Sequence, residues 1–189
     1  RMNLLPNPLV LGSAHRDAIG WSDKFERPAF IAVCRLVPQK GIDLLLEAYA
    51  ALSPAIHSQW RLLIIGEGPE RAALEQRTSD LHLAERIHFL GFQPDPSRYF
   101  RDAEVFVLPS RFEGMPNALL EAMGCGLASI VSDASPGPLE VVSDGQSGLV
   151  VPSGSIPALT TAMERLATDA ALRRQLGQKA AATMRQQSW

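Results

Sequence analysis

The chain has 189 residues, of which 46% are hydrophobic, 20% charged and 6% aromatic, and this globular composition excludes a disordered, collagen-like or disulfide-stapled chain. The net charge is −2, which argues against sequence-general binding of nucleic acid. The longest uncharged apolar stretches are only as long as a strand, so the sequence predicts no transmembrane segment. With two cysteines, we expect a protein of a reducing compartment.

The predicted elements alternate between strand and helix. Residues 1–27 contain Pro6, Pro8 and several polar residues, which indicates an irregular segment such as a linker or surface loop. Beyond it, short apolar runs without alternation predict buried strands at 29–34, 62–65, 87–90, 105–108, 128–131 and 148–151. Apolar residues at helical spacing predict helices at 42–52, 69–81, 117–125 and from 159 through 176. We therefore expect an α/β fold, a Rossmann-like parallel sheet of about six strands with helices on both faces.

Ligands of such sheets bind beyond the carboxyl ends of the strands. After the first strand come Arg35 and Lys40, two cations that can converge on one anion such as a diphosphate; a solvated loop with two unrelated charges is an equal alternative. After the second strand, Gly66 and Gly68 imitate the start of a dinucleotide fingerprint, but Arg71 replaces its third glycine. These glycines admit either a ligand or a tight turn into the next helix.

The segment after the fourth strand contains two carboxylates that flank a predicted anion site. Gly114 and Pro116 precede a helix, and amides at a helix N-terminus attract anions. Glu113 lies ahead of this helix, and Glu121 falls one turn inside it. A sugar nucleotide would place its phosphates on the amides and a polyol on each carboxylate. The alternative is a capping acid plus a surface glutamate.

Residues 110–126, with seven residues between Glu113 and Glu121, resemble the glutamate pair of the retaining glycosyltransferases of family 4. The resemblance extends to Arg35 and Lys40, to the segment 66–68, and to the segments 88–92 and 144–152, so that it covers nearly the whole chain. Residues 5–8 resemble the hinge between the two halves of those enzymes, and residues 188–189 resemble the point where their last helix turns back.

The resemblance implies one half of a GT-B fold, in which two Rossmann-like halves face each other. Residues 28–189 would be the half that binds the nucleotide-sugar donor, residues 1–27 an interdomain hinge and surface loop, and the acceptor domain would be absent from this chain. The implied partners are the donor and, through the missing domain, a glycan or lipid-linked acceptor of polysaccharide biosynthesis. We expect a cytoplasmic location, with contact to the membrane face through that domain, and a fragment that binds donor without transferring sugar.

The resemblance also assigns roles to residues. Arg35 and Lys40 would hold the diphosphate, and Glu113 would lie beside the reacting sugar and orient it, since same-face attack is the usual interpretation of retention in this family. Glu121 would accept hydrogen bonds from the ribose hydroxyls, and residues 90–92 would face the base. The remaining implied donor-binding residues are Gly66, Gly68, Gly91, Phe92, Gly114, Met115, Asn117, Ala118 and Glu121. Residues 135–140 resemble a loop of relatives that use UDP-sugars, although GDP-mannose stays open. No cofactor and no metal are expected.

Other functions fit parts of the pattern. A related GT-B enzyme, such as a nucleotide-sugar epimerase or a phosphorylase, would share the fold. A non-catalytic nucleotide-binding module would have the same fold but catalyse no reaction. A nicotinamide-dependent Rossmann domain is disfavoured because the third fingerprint glycine is missing. Cys34 and Cys125 are expected to be packed as small apolar residues rather than to act as nucleophiles.

Overall fold

The sheet has six parallel strands, as the sequence predicts. The computed structural model describes residues 28–186, so the hinge-like residues 5–8, the whole segment 1–27 and the helix end at 188–189 lie outside the described residues. The strands are β1 (Ala29–Val33), β2 (Arg61–Ile65), β3 (Ile87–Phe89), β4 (Val105–Leu108), β5 (Ala128–Ser132) and β6 (Leu149–Val151). Their spatial order is β3-β2-β1-β4-β5-β6, and every neighbouring pair is parallel.

Within residues 28–186, eight α-helices connect and cover these strands. They are α1 (Ile42–Ala50), α2 (Pro54–Gln59), α3 (Arg71–Asp80), α4 (Ser97–Phe100), α5 (Asn117–Gly124), α6 (Pro136–Val141), α7 (Ile156–Thr168) and α8 (Ala170–Gln186). The short helices α2 and α4 were not predicted. The expectation of a loop at residues 135–140 is wrong, because α6 occupies most of that segment. Six residues and four residues are too few to show helical periodicity, and α2 and α6 both begin at a proline, which suits a first helical turn.

Each face of the sheet carries its own apolar core. Successive strand residues point to opposite faces, so Phe30 packs in one core with α1 and α7 while its neighbour Ile31 packs in the other with α4 and α5. Both side chains are fully buried. A strand covered on both faces needs apolar residues at every position, which explains the uninterrupted runs in the sequence. Among residues 28–186, no helix combines the length and apolar character that a membrane crossing requires.

The strand order places two distant loops side by side. β1 pairs with β4, with Phe30 opposite Val105 and Ile31 opposite Phe106. At this pair the order of the strands reverses direction, and the crevice beyond the carboxyl ends at such a switch point is where doubly wound sheets bind ligands. The loop after β1, residues 34–41, therefore adjoins the loop after β4, residues 109–116.

Candidate functional site

Lys40 and Glu113 form an ion pair across the two adjoining loops. The Nζ atom of Lys40 lies 2.8 Å from Oε1 and 2.7 Å from Oε2 of Glu113. Only 21% of the Lys40 side chain and 10% of the Glu113 side chain are exposed, so water screens this pair less than an ordinary surface pair. The sequence analysis expects both residues at the site, but it predicts a contact of Lys40 with a diphosphate and not with the carboxylate of Glu113.

The loops approach closely because Gly41 has no side chain. Gly41 follows the 3-10 turn Pro38–Lys40 and has a φ of 65°, a backbone conformation that favours glycine. A Cβ atom at this position would lie 2.3 Å from the carbonyl oxygen of Pro109. This contact between the loops brings Lys40 within reach of Glu113.

Arg111 closes a second connection between the same loops. Its guanidinium donates to Oδ1 and Oδ2 of Asp43 at 2.8 and 2.6 Å, and to the carbonyl oxygen of Pro38 at 2.6 Å. The backbone N–H of Arg111 donates to the carbonyl oxygen of Gln39 at 2.8 Å. Arg111 lowers the pKa of the Asp43 carboxyl below its ordinary value through these hydrogen bonds. Sequence reasoning missed this pair, because nothing in the local pattern relates Asp43 to a residue 68 positions away.

Glu113 is also held by serines from two strand ends. The hydroxyl of Ser110 donates to Oε2 of Glu113 at 3.0 Å, and the backbone N–H of Glu113 donates to the hydroxyl oxygen of Ser135 at 2.9 Å. The hydroxyl of Ser132 donates to the carbonyl oxygen of Ser110. All three serines are buried. Nothing in the sequence indicated that these serines contact Glu113, although Ser110 and Ser135 lie in the segments 110–126 and 135–140 that carry the resemblance.

The N-terminus of α5 presents unpaired amides, as the anion-site prediction requires. Pro116 precedes the helix, and no side chain of the described residues caps it. Within residues 28–186, the N–H groups of Gly114, Met115, Asn117 and Ala118 donate to no other protein group. Free N–H groups at the positive end of a helix dipole are suited to bind an anion.

Glu121 lies one turn into α5, eight residues along the chain from Glu113. Its side chain is half-buried, and within the described part of the chain its carboxylate accepts no hydrogen bond. Burial raises the pKa of Glu121 above its ordinary value, and the charge of Asp95 adds to this shift. A carboxylate without protein donors can accept hydrogen bonds from ligand hydroxyls, which agrees with the predicted contact to a ribose.

Arg35 differs from Lys40 in its surroundings. It is exposed and forms no ion pair with any residue between 28 and 186. The structure therefore places one predicted cation on Glu113 and leaves the other open to solvent. Convergence of the two cations on one anion stays a prediction.

The glycines after β2 pack against the protein's own backbone. A Cβ atom at Gly66 would lie 1.8 Å from the carbonyl oxygen of Cys34, and one at Gly68 would lie 2.2 Å from that of Leu36. The space that a side chain would need at these glycines is therefore filled by backbone, which favours the tight-turn alternative over room for a ligand. Arg71 fills the place of the third fingerprint glycine, where its guanidinium contacts Glu67 and the carbonyl oxygen of Phe89. That arrangement argues against a nicotinamide dinucleotide site.

The turn after β3 carries an exposed aromatic ring. Gly91 has a φ of 71°, and its carbonyl oxygen accepts from the N–H of Gly66 at 2.9 Å. Phe92 beside it is 72% exposed. An exposed ring can stack on a nucleobase, so a base at residues 90–92 stays a prediction that the geometry permits.

Nothing at the site indicates cysteine or metal chemistry. Burial raises the pKa of Cys34 to about 12, so this thiol is neutral at neutral pH and cannot act as a thiolate nucleophile. Cys125 is exposed, so the expectation that it is packed as a small apolar residue is wrong. Among the described residues, His, Cys, Asp and Glu form no group of three or more that could hold a metal ion. The absence of a metal requirement stays a prediction.

Known proteins resemble this chain in sequence. An exopolysaccharide phosphotransferase of Streptomyces coelicolor is 36% identical over 181 residues, which are 95% of this chain and 18% of that protein. A GDP-mannose-dependent alpha-(1-6)-phosphatidylinositol monomannoside mannosyltransferase of Mycolicibacterium smegmatis is 35% identical over 153 residues, which are 76% of this chain and 40% of that protein. The chain thus spans less than half the length of either relative.

The fold matches solved glycosyltransferase structures. The Anabaena protein HepE, solved in complex with UDP and glucose, superposes with a TM-score of 0.77 and 25% identity over 84% of this chain and 43% of its own. The six-stranded sheet is one Rossmann-like half of the GT-B fold. The family model described as glycosyl transferases group 1 matches residues 18–183. Because that match takes in the whole sheet together with the Lys40–Glu113 pair, the chain belongs to the glycosyl transferases group 1.

Proposed function

We propose that this chain is the donor-binding half of a retaining glycosyltransferase of family 4, which moves a hexosyl or hexosaminyl group from a nucleoside diphosphate sugar to a saccharide or lipid-linked acceptor. One observation carries the proposal. At the switch point of the sheet, the Lys40–Glu113 pair adjoins the loop that leads into the unpaired amides of α5. Cation and amides suit a diphosphate, and the carboxylate suits sugar hydroxyls.

In the proposed reaction, the bond between the anomeric carbon and the diphosphate oxygen breaks, and negative charge grows on the leaving diphosphate. Arg35, Lys40 and the N-terminus of α5 stabilise that charge more in the transition state than in the ground state. Both carboxylate oxygens of Glu113 already accept protein hydrogen bonds. A carboxylate fixed in this way is suited to orient the sugar, and this supports same-face attack by the acceptor hydroxyl over a covalent intermediate on Glu113.

The donor we propose is a UDP-sugar. Support comes from HepE, whose structure contains UDP and glucose, whereas the mycolicibacterial relative is named for GDP-mannose. The exposed Phe92 offers stacking to either base, so it does not separate the two. Binding must decide between them.

The whole protein would hold the acceptor in a second half. The chain spans only 18–43% of the three similar proteins above, which leaves room in them for such a half. Holding the acceptor hydroxyl beside the anomeric carbon can lower the activation free energy by about 7–11 kcal/mol. We therefore propose that residues 1–189 bind donor but transfer no sugar, and that the whole protein works in the cytoplasm or at the inner membrane face, without cofactor or metal.

Calorimetric titration of the purified chain tests the donor proposal. UDP, GDP, ADP and their sugars are compared, with and without EDTA. We expect UDP to bind tightest and its Kd to be unaffected by EDTA. At a hundredfold excess over Kd, UDP should also raise the free energy of unfolding of the chain by about 2.7 kcal/mol. Tighter binding of GDP would assign a GDP-sugar, and no binding by any nucleotide would overturn the proposed function.

Variants test the assigned roles. Each of Arg35→Ala and Lys40→Ala should weaken UDP binding by about 1.5–3 kcal/mol and leave uridine binding unchanged. Glu121→Gln should weaken UDP binding through the ribose, whereas Glu113→Gln should mainly reduce the preference for UDP-sugar over UDP. If Glu113→Gln weakens plain UDP binding as much as Glu121→Gln does, the roles of the two carboxylates are wrong.

A further inference from the structure

The side chain of Glu113 is fixed at its carboxylate by a buried hydroxyl. Ser110 lies two residues beyond β4, is 1% exposed, and donates to Oε2 of Glu113 at 3.0 Å. Lys40 contacts both carboxylate oxygens, but a lysine ammonium sits on a flexible stem and sets direction poorly. The short, buried side chain of Ser110 is the contact that defines how the carboxylate plane is turned.

The backbone of Glu113 is fixed by a second buried hydroxyl. Ser135 stands at the N-cap position of α6 and is 6% exposed, yet it does not cap that helix. Pro136 and Pro138 leave few N–H groups in the first turn of α6 to be capped. The hydroxyl oxygen of Ser135 instead accepts the N–H of Glu113 at 2.9 Å.

A third serine holds the first in place. Ser132, the last residue of β5, donates from its hydroxyl to the carbonyl oxygen of Ser110. The ends of β4 and β5, which are paired in parallel register, thus form one support under Glu113. Rigid strand ends position a functional side chain better than a free loop does.

We propose that Ser110 and Ser135 are positioning residues for Glu113: Ser110 sets the angle of its carboxylate and Ser135 the place of its backbone, so that the oxygens meet the hydroxyls of the donor sugar. This rests on the sugar-side role of Glu113 in the proposed function. Neither serine touches the nucleotide in this assignment. Their loss should therefore lower recognition of the sugar and leave recognition of the nucleotide intact.

The experiment measures the ratio of two dissociation constants, Kd for UDP over Kd for UDP-glucose, by calorimetry on the whole chain; GDP and GDP-mannose replace them if GDP binds tighter. Ser110→Ala and Ser135→Ala should each lower this ratio about two- to tenfold, with Kd for the plain nucleotide unchanged. The matched control is Ser129→Ala. Ser129 is also fully buried, on β5, and its hydroxyl has no partner within residues 28–186, so this variant should leave the ratio unchanged.

The outcomes distinguish failure of the positioning role of the serines from failure of the proposed function. If Glu113→Gln lowers the ratio but Ser110→Ala and Ser135→Ala do not, the positioning role is refuted and the proposed function stands. If Ser129→Ala lowers it equally, the serine effect is general loosening and the positioning role is also refuted. If Glu113→Gln leaves the ratio unchanged, the sugar-side role fails and the positioning role fails with it. Should Ser110→Ala not unfold cooperatively, the near-isosteric Ser110→Cys, a weaker donor, replaces it with the same expectation.

Discussion

The Lys40–Glu113 pair should stabilise the fold measurably, although both residues are assigned to ligand binding. At 2.7 Å and an effective dielectric constant of about 20, the gross attraction is about 6 kcal/mol. Removing two charges from water offsets most of this gain. Since both side chains are less than one quarter exposed, we expect a net coupling energy of about 1–3 kcal/mol, above the ~0.2–1 kcal/mol of exposed pairs.

A double-mutant cycle in urea measures this coupling. Lys40→Met, Glu113→Gln and the double variant are unfolded at neutral pH, and the free energies of unfolding are combined. Lys40→Met should be the most destabilised, because it leaves a largely buried carboxylate without its cation. Arg35→Met is the matched control, since Arg35 lies in the same loop, is exposed, and forms no ion pair within the described residues. A coupling energy below about 0.5 kcal/mol, or an equal cost for Arg35→Met, would refute the reasoning.

Three further predictions concern stability. Arg111 lowers the pKa of Asp43, so this pair should stabilise the fold by about 0.2–1 kcal/mol above the ordinary pKa of 3.8 and lose that contribution as the pH falls further. The measurement compares the free energies of unfolding of wild type and Asp43→Asn as a function of pH. Burial raises the pKa of Glu121 above 4.5, so wild type should lose stability relative to Glu121→Gln as the pH rises through the folded-state pKa. Gly68→Ala should lower the free energy of unfolding by about 1–3 kcal/mol or more, because the added Cβ would meet a carbonyl oxygen. Gly114→Ala should leave the free energy of unfolding almost unchanged, because no atom lies within 4 Å of its Cβ.

The sheet could be predicted from the sequence because its signal is local. All six strands lie where short, mainly apolar runs occur, and the long helices follow their apolar spacing. β1 shows why: a strand with apolar cores on both faces must be apolar at each position, and five residues are enough to show it. The four-residue α4 gives no such signal, since one helical turn has no period to detect.

The contacts of the site could be predicted only in part. The segment around Glu113 has a specific pattern, which predicts a helix from Asn117 with Glu113 ahead of it and Glu121 inside it, and the structure has this helix. The local pattern does not predict which side chains contact Glu113. Lys40 lies 73 residues from Glu113 and Ser135 lies 22 residues from it, and only the pairing of β1 with β4 and of β4 with β5 brings them together. A contact that depends on strand order leaves no trace in local spacing.

The ion pair also changes what each cation contributes to the proposed diphosphate site. An unpaired Glu113 carboxylate would repel a diphosphate, and Lys40 cancels that charge while the two remain in contact. The pair is then nearly neutral, so in the proposed site Arg35 and the amides of α5 would supply much of the net attraction for a diphosphate, in addition to the contact that Lys40 would make. Lys40 also lets a carboxylate lie beside an anion site without weakening it. A site for a sugar nucleotide needs this combination, because the phosphates require positive potential a few ångströms from hydroxyls that require an acceptor.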